Sequence, residues 1–191
     1  MDPDAPVGGV RSPAVSTQPR LETERLILRP FDLGDWAGLH RAYGDPEVMR
    51  WHGLTDQPPI EETAFAAGRM AGHFTARGYG MFAIVEREAG EIVGRVGIMV
   101  HDDWTGGPDQ HEIGWTVQRD RWGRGYATES ARAVMDWIWE VVDVSRIISI
   151  TDLENLRSQR VMEKLGLTRR GTARWHEHDV VWYAIERPAK G

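Results

Sequence analysis

The chain has no cysteine among its 191 residues. That excludes disulfides, thiolate-held metals and a cysteine nucleophile. Lysine is almost missing as well, standing only at positions 164 and 190 while arginine is abundant, a bias read here as genomic base composition. No run approaches the roughly 18 apolar residues of a membrane span, and no basic-then-apolar leader opens the chain. A soluble, cytoplasmic protein with no membrane partner is expected. The net charge of -6 offers no basic face for the phosphates of nucleic acid, so no nucleic-acid partner is expected; cationic substrates are mildly favoured. There is no internal repeat, and the Gly-Lys-Ser/Thr of a nucleotide-hydrolase phosphate loop is absent. The length suits one domain with its own core, assigned to residues 21–191. Residues 1–20 hold Pro3, Pro6, Pro13 and Pro19 among small and polar residues, as in a disordered or loosely attached tail. Tryptophan is present in excess, with nine residues, most of them expected in core or interface.

The organising stretch is His111 to Thr128, HEIGWTVQRDRWGRGYAT. Ile113, Trp115 and Val117 alternate with Glu112, Gly114 and Thr116, the period of a strand. Gly123-Arg124-Gly125 then lets the backbone turn sharply and approach a ligand closely. From Tyr126 onward Ala127, Ala131, Val134, Met135, Ile138 and Val142 recur at helical spacing. The loop therefore opens a helix whose first N–H groups lack partners, a place suited to phosphate or pyrophosphate. Arg119, Arg121 and Arg124 add charge of the right sign. The same loop reads equally well as a tight turn with solvated arginines.

The rest of the chain surrounds this unit with alternating elements. Leu21 to Pro30 reads as a first strand, and Asp32 as the cap of a helix carrying Leu33, Trp36, Leu39 and Tyr43. Asp45 to Leu54 is aromatic and irregular. A helix over 60–76 is weakened by its glycines. Segments 81–86 and 91–100 form a hairpin, followed by a loop over 101–110. RIISIT at 146–151 is a buried strand, Asn155 caps a helix to Lys164 with Gly166 as its stop, and 167–174 with 179–186 close the chain as a hairpin. The fold class is α/β, a mixed and mostly antiparallel central sheet of about seven strands with helices on both faces.

These elements and motifs together resemble the GNAT superfamily of acyl-CoA-dependent N-acetyltransferases, in the branch of ribosomal-protein N-terminal alanine acetyltransferases. The likeness runs from Leu21 to Arg187. The family's pyrophosphate loop, Q/R-x-x-G-x-G/A, falls on Trp122-Gly123-Arg124-Gly125-Tyr126-Ala127. Gly125 and Ala127 match, whereas Trp122 departs from Gln or Arg; W-G-x-G-Y-A-T-E is typical of the branch. TERLILRP at 23–30, DPEVMR at 45–50, EIGW at 112–115 and NLRSQRVMEKLGL at 155–167 also have its look.

The resemblance implies a binding site for acetyl-CoA, with no metal, and a primary amine as acceptor, either a protein N-terminus or a small cationic molecule. Trp122, Gly123, Arg124, Gly125, Tyr126, Ala127 and Thr128 would cup the diphosphate. Backbone groups of Trp115, Thr116 and Val117 would meet the acyl oxygen and the amide-bearing arm, because the central strand of the family splays from its neighbour there. Glu112 is the candidate general base; its plain alternative is a strand-end carboxylate paired with a nearby arginine. Asn155 and Ser158 are spaced as helix cap and third residue. The resemblance gives Asn155 a contact with the arm and Ser158 the role of acid to the departing sulfur. The superfamily's usual acid, a tyrosine seven residues after that Asn, is here Met162, which carries no proton; Tyr183 is an outside candidate. Trp36, Met49, Trp51 and His52 lie in segments that flank the acceptor cleft in relatives, and core packing explains any one of them as well. Many relatives are homodimers, which the tryptophans permit.

His176-Glu177-His178 lacks a third ligand at metal spacing and reads as a hairpin tip. A dinucleotide-binding fold competes through Gly123, Gly125 and Asp152, but the third glycine position is Thr128 and two hairpin strands follow. A non-catalytic acyl-CoA sensor or partner module is the remaining alternative.

Overall fold

The computed structural model describes residues 18–52, 56–108 and 110–189. Residues 1–17 of the expected tail lie outside them, as do Asp109 of the 101–110 loop and the last two positions of the expected domain. Thirteen elements alternate along the chain: β1 (Leu21–Glu22), β2 (Leu26–Pro30), α1 (Trp36–Tyr43), α2 (Pro46–Met49), α3 (Ile60–Arg77), β3 (Met81–Glu86), β4 (Ile92–Val100), β5 (His111–Val117), α4 (Tyr126–Val141), β6 (Arg146–Asp152), α5 (Leu156–Lys164), β7 (Thr168–Trp175) and β8 (His178–Glu186). They build one eight-stranded sheet in the order β1-β2-β3-β4-β5-β6-β8-β7. Every pairing is antiparallel except that of β5 with β6.

The sheet has eight strands rather than seven because the first expected strand is two. Thr23 breaks it by donating its N–H to the Leu26 carbonyl at 2.9 Å, and β1 folds back on β2 with Leu21 opposite Leu28. The first helix begins later than expected, at Trp36, leaving Leu33 83% exposed. The irregular stretch after Asp45 is ordered by its cap. Asp45 Oδ1 accepts the Glu47 N–H at 2.8 Å, Pro46 starts α2, and a 3₁₀ turn over Arg50–His52 follows. At the closing hairpin, His176 and Glu177 take positive φ of 46° and 65°, a two-residue turn that places Trp175 opposite His178.

Alternation along the strands divides the core. Phe82, Ile84, Val96, Ile98 and Ile113 turn to the face covered by α4, where Val134 and Ile138 meet them. Met81, Ala83 and Val85 turn to the other face, under Leu39, Tyr43 and Ala67 of α1 and α3. Beyond β5 that second face is covered by a smaller cluster around Trp104, Ile148, Val180 and Ala184. Among the described residues, no helix is long and apolar enough to cross a membrane.

Candidate active site

The fork between β5 and β6 creates the site. These parallel strands pair at a single position, Glu112 opposite Ile148, and then part. Two side chains close the vertex of the fork: Ser149 Oγ donates to the Ile113 carbonyl at 2.9 Å, and Glu112 Oε1 accepts the Ile150 N–H at 3.1 Å. Past the vertex β5 keeps β4 on one side, with Trp115 opposite Val96 and Thr116 opposite Arg95. Gln118 N–H bonds the Val93 carbonyl, which fixes the alternation. The amides of Trp115 and Val117 therefore face the gap, while those of Thr116 face β4.

A cavity of about 540 Å³ occupies the gap. Its floor is Trp115 and Val117; one wall is Gly123, Gly125 and the first turn of α4, Tyr126, Ala127 and Thr128; the other is Asn155, Ser158 and Val161 of α5. It reaches the opposite face of the sheet at Thr116, Val48, Trp51 and His52. Gly123 and Gly125 hold φ of 77° and 84°, a conformation that L side chains adopt only with strain. The first main-chain bond of α4 is Glu129 N–H to the Gly125 carbonyl, so the N–H groups of Tyr126, Ala127 and Thr128 have no helical partner. Unpaired donors at the positive end of a helix make a turn with the chemistry an anion requires.

Buried and half-buried ion pairs hold that turn from behind. Glu86, at the end of β3 and 8% exposed, accepts the Tyr126 hydroxyl at 2.5 Å and Arg121 Nη2 at 3.2 Å. The Tyr126 bond holds the Glu86 carboxyl below its usual range and raises the tyrosine in turn. Arg25 binds Glu129 and gives Nη1 to the Arg124 carbonyl at 2.8 Å. Trp122 explains its place at the first motif position: its indole N–H donates to the Val117 carbonyl at 2.7 Å, tying the loop to the end of β5.

Charge is distributed differently from the sequence expectation. Arg121 is neutralised by Glu86 and Asp120, Arg119 lies 3.3 Å from Asp45, and Arg124 points away from the cavity, 4.0 Å from Glu86. The cations that line the cavity besides Arg121 are Arg157, Arg160 and Lys164 of α5, with Arg157 stacked 4.6 Å over the Trp122 ring. Sequence reasoning missed these three, Val48 and Val161. The signal was there, since 157, 160, 161 and 164 recur on one helical face.

The other expected site residues are placed as follows. Asn155 Oδ1 caps α5 by accepting the Ser158 N–H at 3.1 Å, and both side chains line the cavity. Met162 is 1% exposed in the core, and Tyr183 is 3% exposed with its hydroxyl 3.4 Å from Gln159 Oε1, so neither reaches the cavity. Trp36 and Met49 do not reach it either. Both pack with Leu39 in the core under α1, because their positions on α1 and α2 face the sheet. Glu112 is 6% exposed and off the cavity wall; its partner is no arginine but His101, with Nε2 2.6 Å from Oε2. That hydrogen bond raises the His101 pKa above its usual value against the opposing effect of burial. His52 Nε2 lies 3.1 Å from Thr116 Oγ1. Enclosure of the ring and the charge of Arg95 both disfavour its imidazolium form, although the residue keeps an exposed edge.

Known proteins share this fold. The family described as "Acetyltransferase (GNAT) domain" matches residues 25–168. The uncharacterized N-acetyltransferase p20 of Bacillus licheniformis is 28% identical over 158 residues, covering 82% of this chain and 86% of its own. The crystal structure of a GNAT-family acetyltransferase from Bacillus anthracis is similar with a TM-score of 0.74 at 26% identity, over 88% of this chain and 98% of that one. RimL, a ribosomal L7/L12 alpha-N-protein acetyltransferase solved in complex with coenzyme A, has the same fold, with a TM-score of 0.73 over 88% of this chain and 98% of its own at 20% identity. With a family match over most of its length and a forked sheet that ends in a turn of unpaired helix amides, the chain belongs to the GNAT family of acetyl-CoA-dependent N-acetyltransferases.

Proposed function

We propose that the protein moves an acetyl or closely related acyl group from acyl-CoA to a primary amine, on a protein N-terminus or a small cationic molecule, by direct attack in a ternary complex. One observation carries the reading: the cavity at the β5–β6 fork joins the free amides of α4 to the opposite face of the sheet at His52 and Thr116. The diphosphate sits on the turn from Gly123 to Thr128, with Arg157, Arg160 and Lys164 beside it. The thioester lies along the open edge of β5, its carbonyl oxygen accepting from the Trp115 or Val117 amide. A donor of this kind is worth about 3 kcal/mol in acyl transfer.

Glu112 serves as general base. Because it stands behind the cavity wall, the proton reaches it through a water or through His101. The amine nitrogen bonds to the thioester carbon, one N–H proton leaves toward Glu112, the C–S bond breaks and the sulfur takes a proton from Ser158, whose hydroxyl is reprotonated from solvent as Glu112 releases the proton it took. The absence of cysteine, which removes the thiol nucleophile, favours this route over a covalent acyl-enzyme.

The reading is tested by titrating coenzyme A into the protein by calorimetry, then following thiol release from acetyl-CoA over an amine panel. No binding heat would overturn it, and binding without turnover on any amine would favour the sensor alternative. Ser158→Ala is expected to cut turnover by about tenfold or more, within the range of acid catalysis, while the Kd for coenzyme A moves less than about threefold. Unchanged turnover would remove Ser158 from the mechanism.

A further inference from the structure

Five described arginines are partly buried: Arg29, Arg95, Arg121, Arg146 and Arg187. Four of them sit 2.5–3.2 Å from a carboxylate oxygen. Among the described residues Arg95 has none, and its buried Nε has no hydrogen-bond acceptor. Burying a guanidinium without a counter-charge is costly, so chains that keep one usually gain something from it.

Its position says what that is. Arg95 lies on β4 directly opposite Thr116 of β5, on the sheet face turned toward α1 and α2. Thr116 and His52 line the acyl cavity where it emerges on that face. The Arg95 guanidinium stands beside them, 6.0 Å from the Tyr43 ring, which is itself 5.7 Å from His52. Residues 53–55 that follow His52 are Gly, Leu and Thr and bring no carboxylate. Just behind the cavity end away from the diphosphate, off the wall itself, there is therefore an unneutralised cation next to a neutral imidazole and a hydroxyl, a donor set suited to a carboxylate.

We propose that Arg95 is a recognition group for a carboxylate on the molecule occupying this end of the cavity, which makes the reaction partners an amine and an acyl thioester of which one is acidic. The inference rests on the acyl-transfer reading above and narrows it. The carboxylate has two sources: an acceptor such as a free amino acid or an acidic peptide N-terminus, or an acyl group such as succinyl. The molecule's negative overall charge sets the long-range field, but Arg95 sets the local one within a few ångströms.

The experiment compares matched pairs. In one arm acetyl-CoA is offered with free amino acids, their methyl esters and the corresponding decarboxylated amines; in the other, succinyl-CoA and acetyl-CoA are compared on one simple amine. In one arm the carboxylate-bearing partner is expected to show a kcat/KM about tenfold to a hundredfold higher, the effect of one charge-assisted bond. Arg95→Gln should erase that preference while carboxylate-free turnover and coenzyme A binding stay within about twofold, and Arg95→Lys should restore part of it. No preference in either arm of the parent protein overturns the proposal without reference to any variant, as does equal loss on both members of a pair. Absence of coenzyme A binding by the parent protein would instead bring down the acyl-transfer reading and this inference with it.

Discussion

Glu112→Gln is expected to bind coenzyme A as tightly as the parent protein and to acetylate its amine about 10²- to 10⁴-fold more slowly, the loss typical of a missing general base. The substitution is nearly isosteric. Its carbonyl oxygen still accepts the Ile150 N–H that closes the fork, so the loss is chemical rather than structural, and an unchanged thermal midpoint would confirm that. Retention of most of the activity would remove Glu112 from the mechanism.

The pH dependence gives this variant a second readout. His101 is raised by its bond to Glu112, so it keeps its proton to higher pH than a free imidazole would. Only when the pair loses that proton can it take one from the amine. The rate should climb with pH through the raised His101 value. Stability runs the other way. A histidine whose pKa is raised on folding contributes stability fully below its unfolded value, near 6.5, and loses it as pH rises through the folded one. Glu112→Gln should bring the His101 titration, followed by NMR, back down.

Gly94→Ala is expected to cost about 3 kcal/mol of stability and to weaken coenzyme A binding together with it. A Cβ at this position would fall 2.1 Å from the Thr116 carbonyl oxygen and 3.0 Å from Val117 Cα. Both contacts are backbone, so no side chain can swing aside and β5 itself must move. The strand displaced is the one whose amides face the gap, so the stability loss and the binding loss share a cause. A urea melt and a calorimetric titration read the two. A variant as stable as the parent would show that β4 and β5 are not in the close contact described.

How much of this was legible in the residues depended on the range of the interaction involved. The strand from His111 to Val117, the turn at Gly123 to Gly125 and the helix from Tyr126 are set by local periodicity and by glycine, and they appear where the spacing put them. The same local logic missed the break at Thr23, because Thr23 Oγ1 and the Arg25 N–H are drawn to Glu129, more than a hundred residues away. It also gave the phosphate side to the loop arginines. Arg121 faces the cavity, but its charge is spent on Glu86, a residue on β3 that no spacing rule links to it.

Trp36 and Met49 follow the same rule. Being aromatic or apolar in the right segment does not say which way a side chain turns, and α1 and α2 turn these two inward. By itself the sequence determined the order of the elements, the family and the glycine turn that opens α4, since each arises from residues close together in the chain. Only the tertiary structure decided that Glu112 is joined to His101, that α5 supplies three of the four cations lining the cavity and that Arg95 has no carboxylate partner among the described residues. Charge pairing depends on which distant residues the sheet brings within a few ångströms, and strand periodicity carries no record of that.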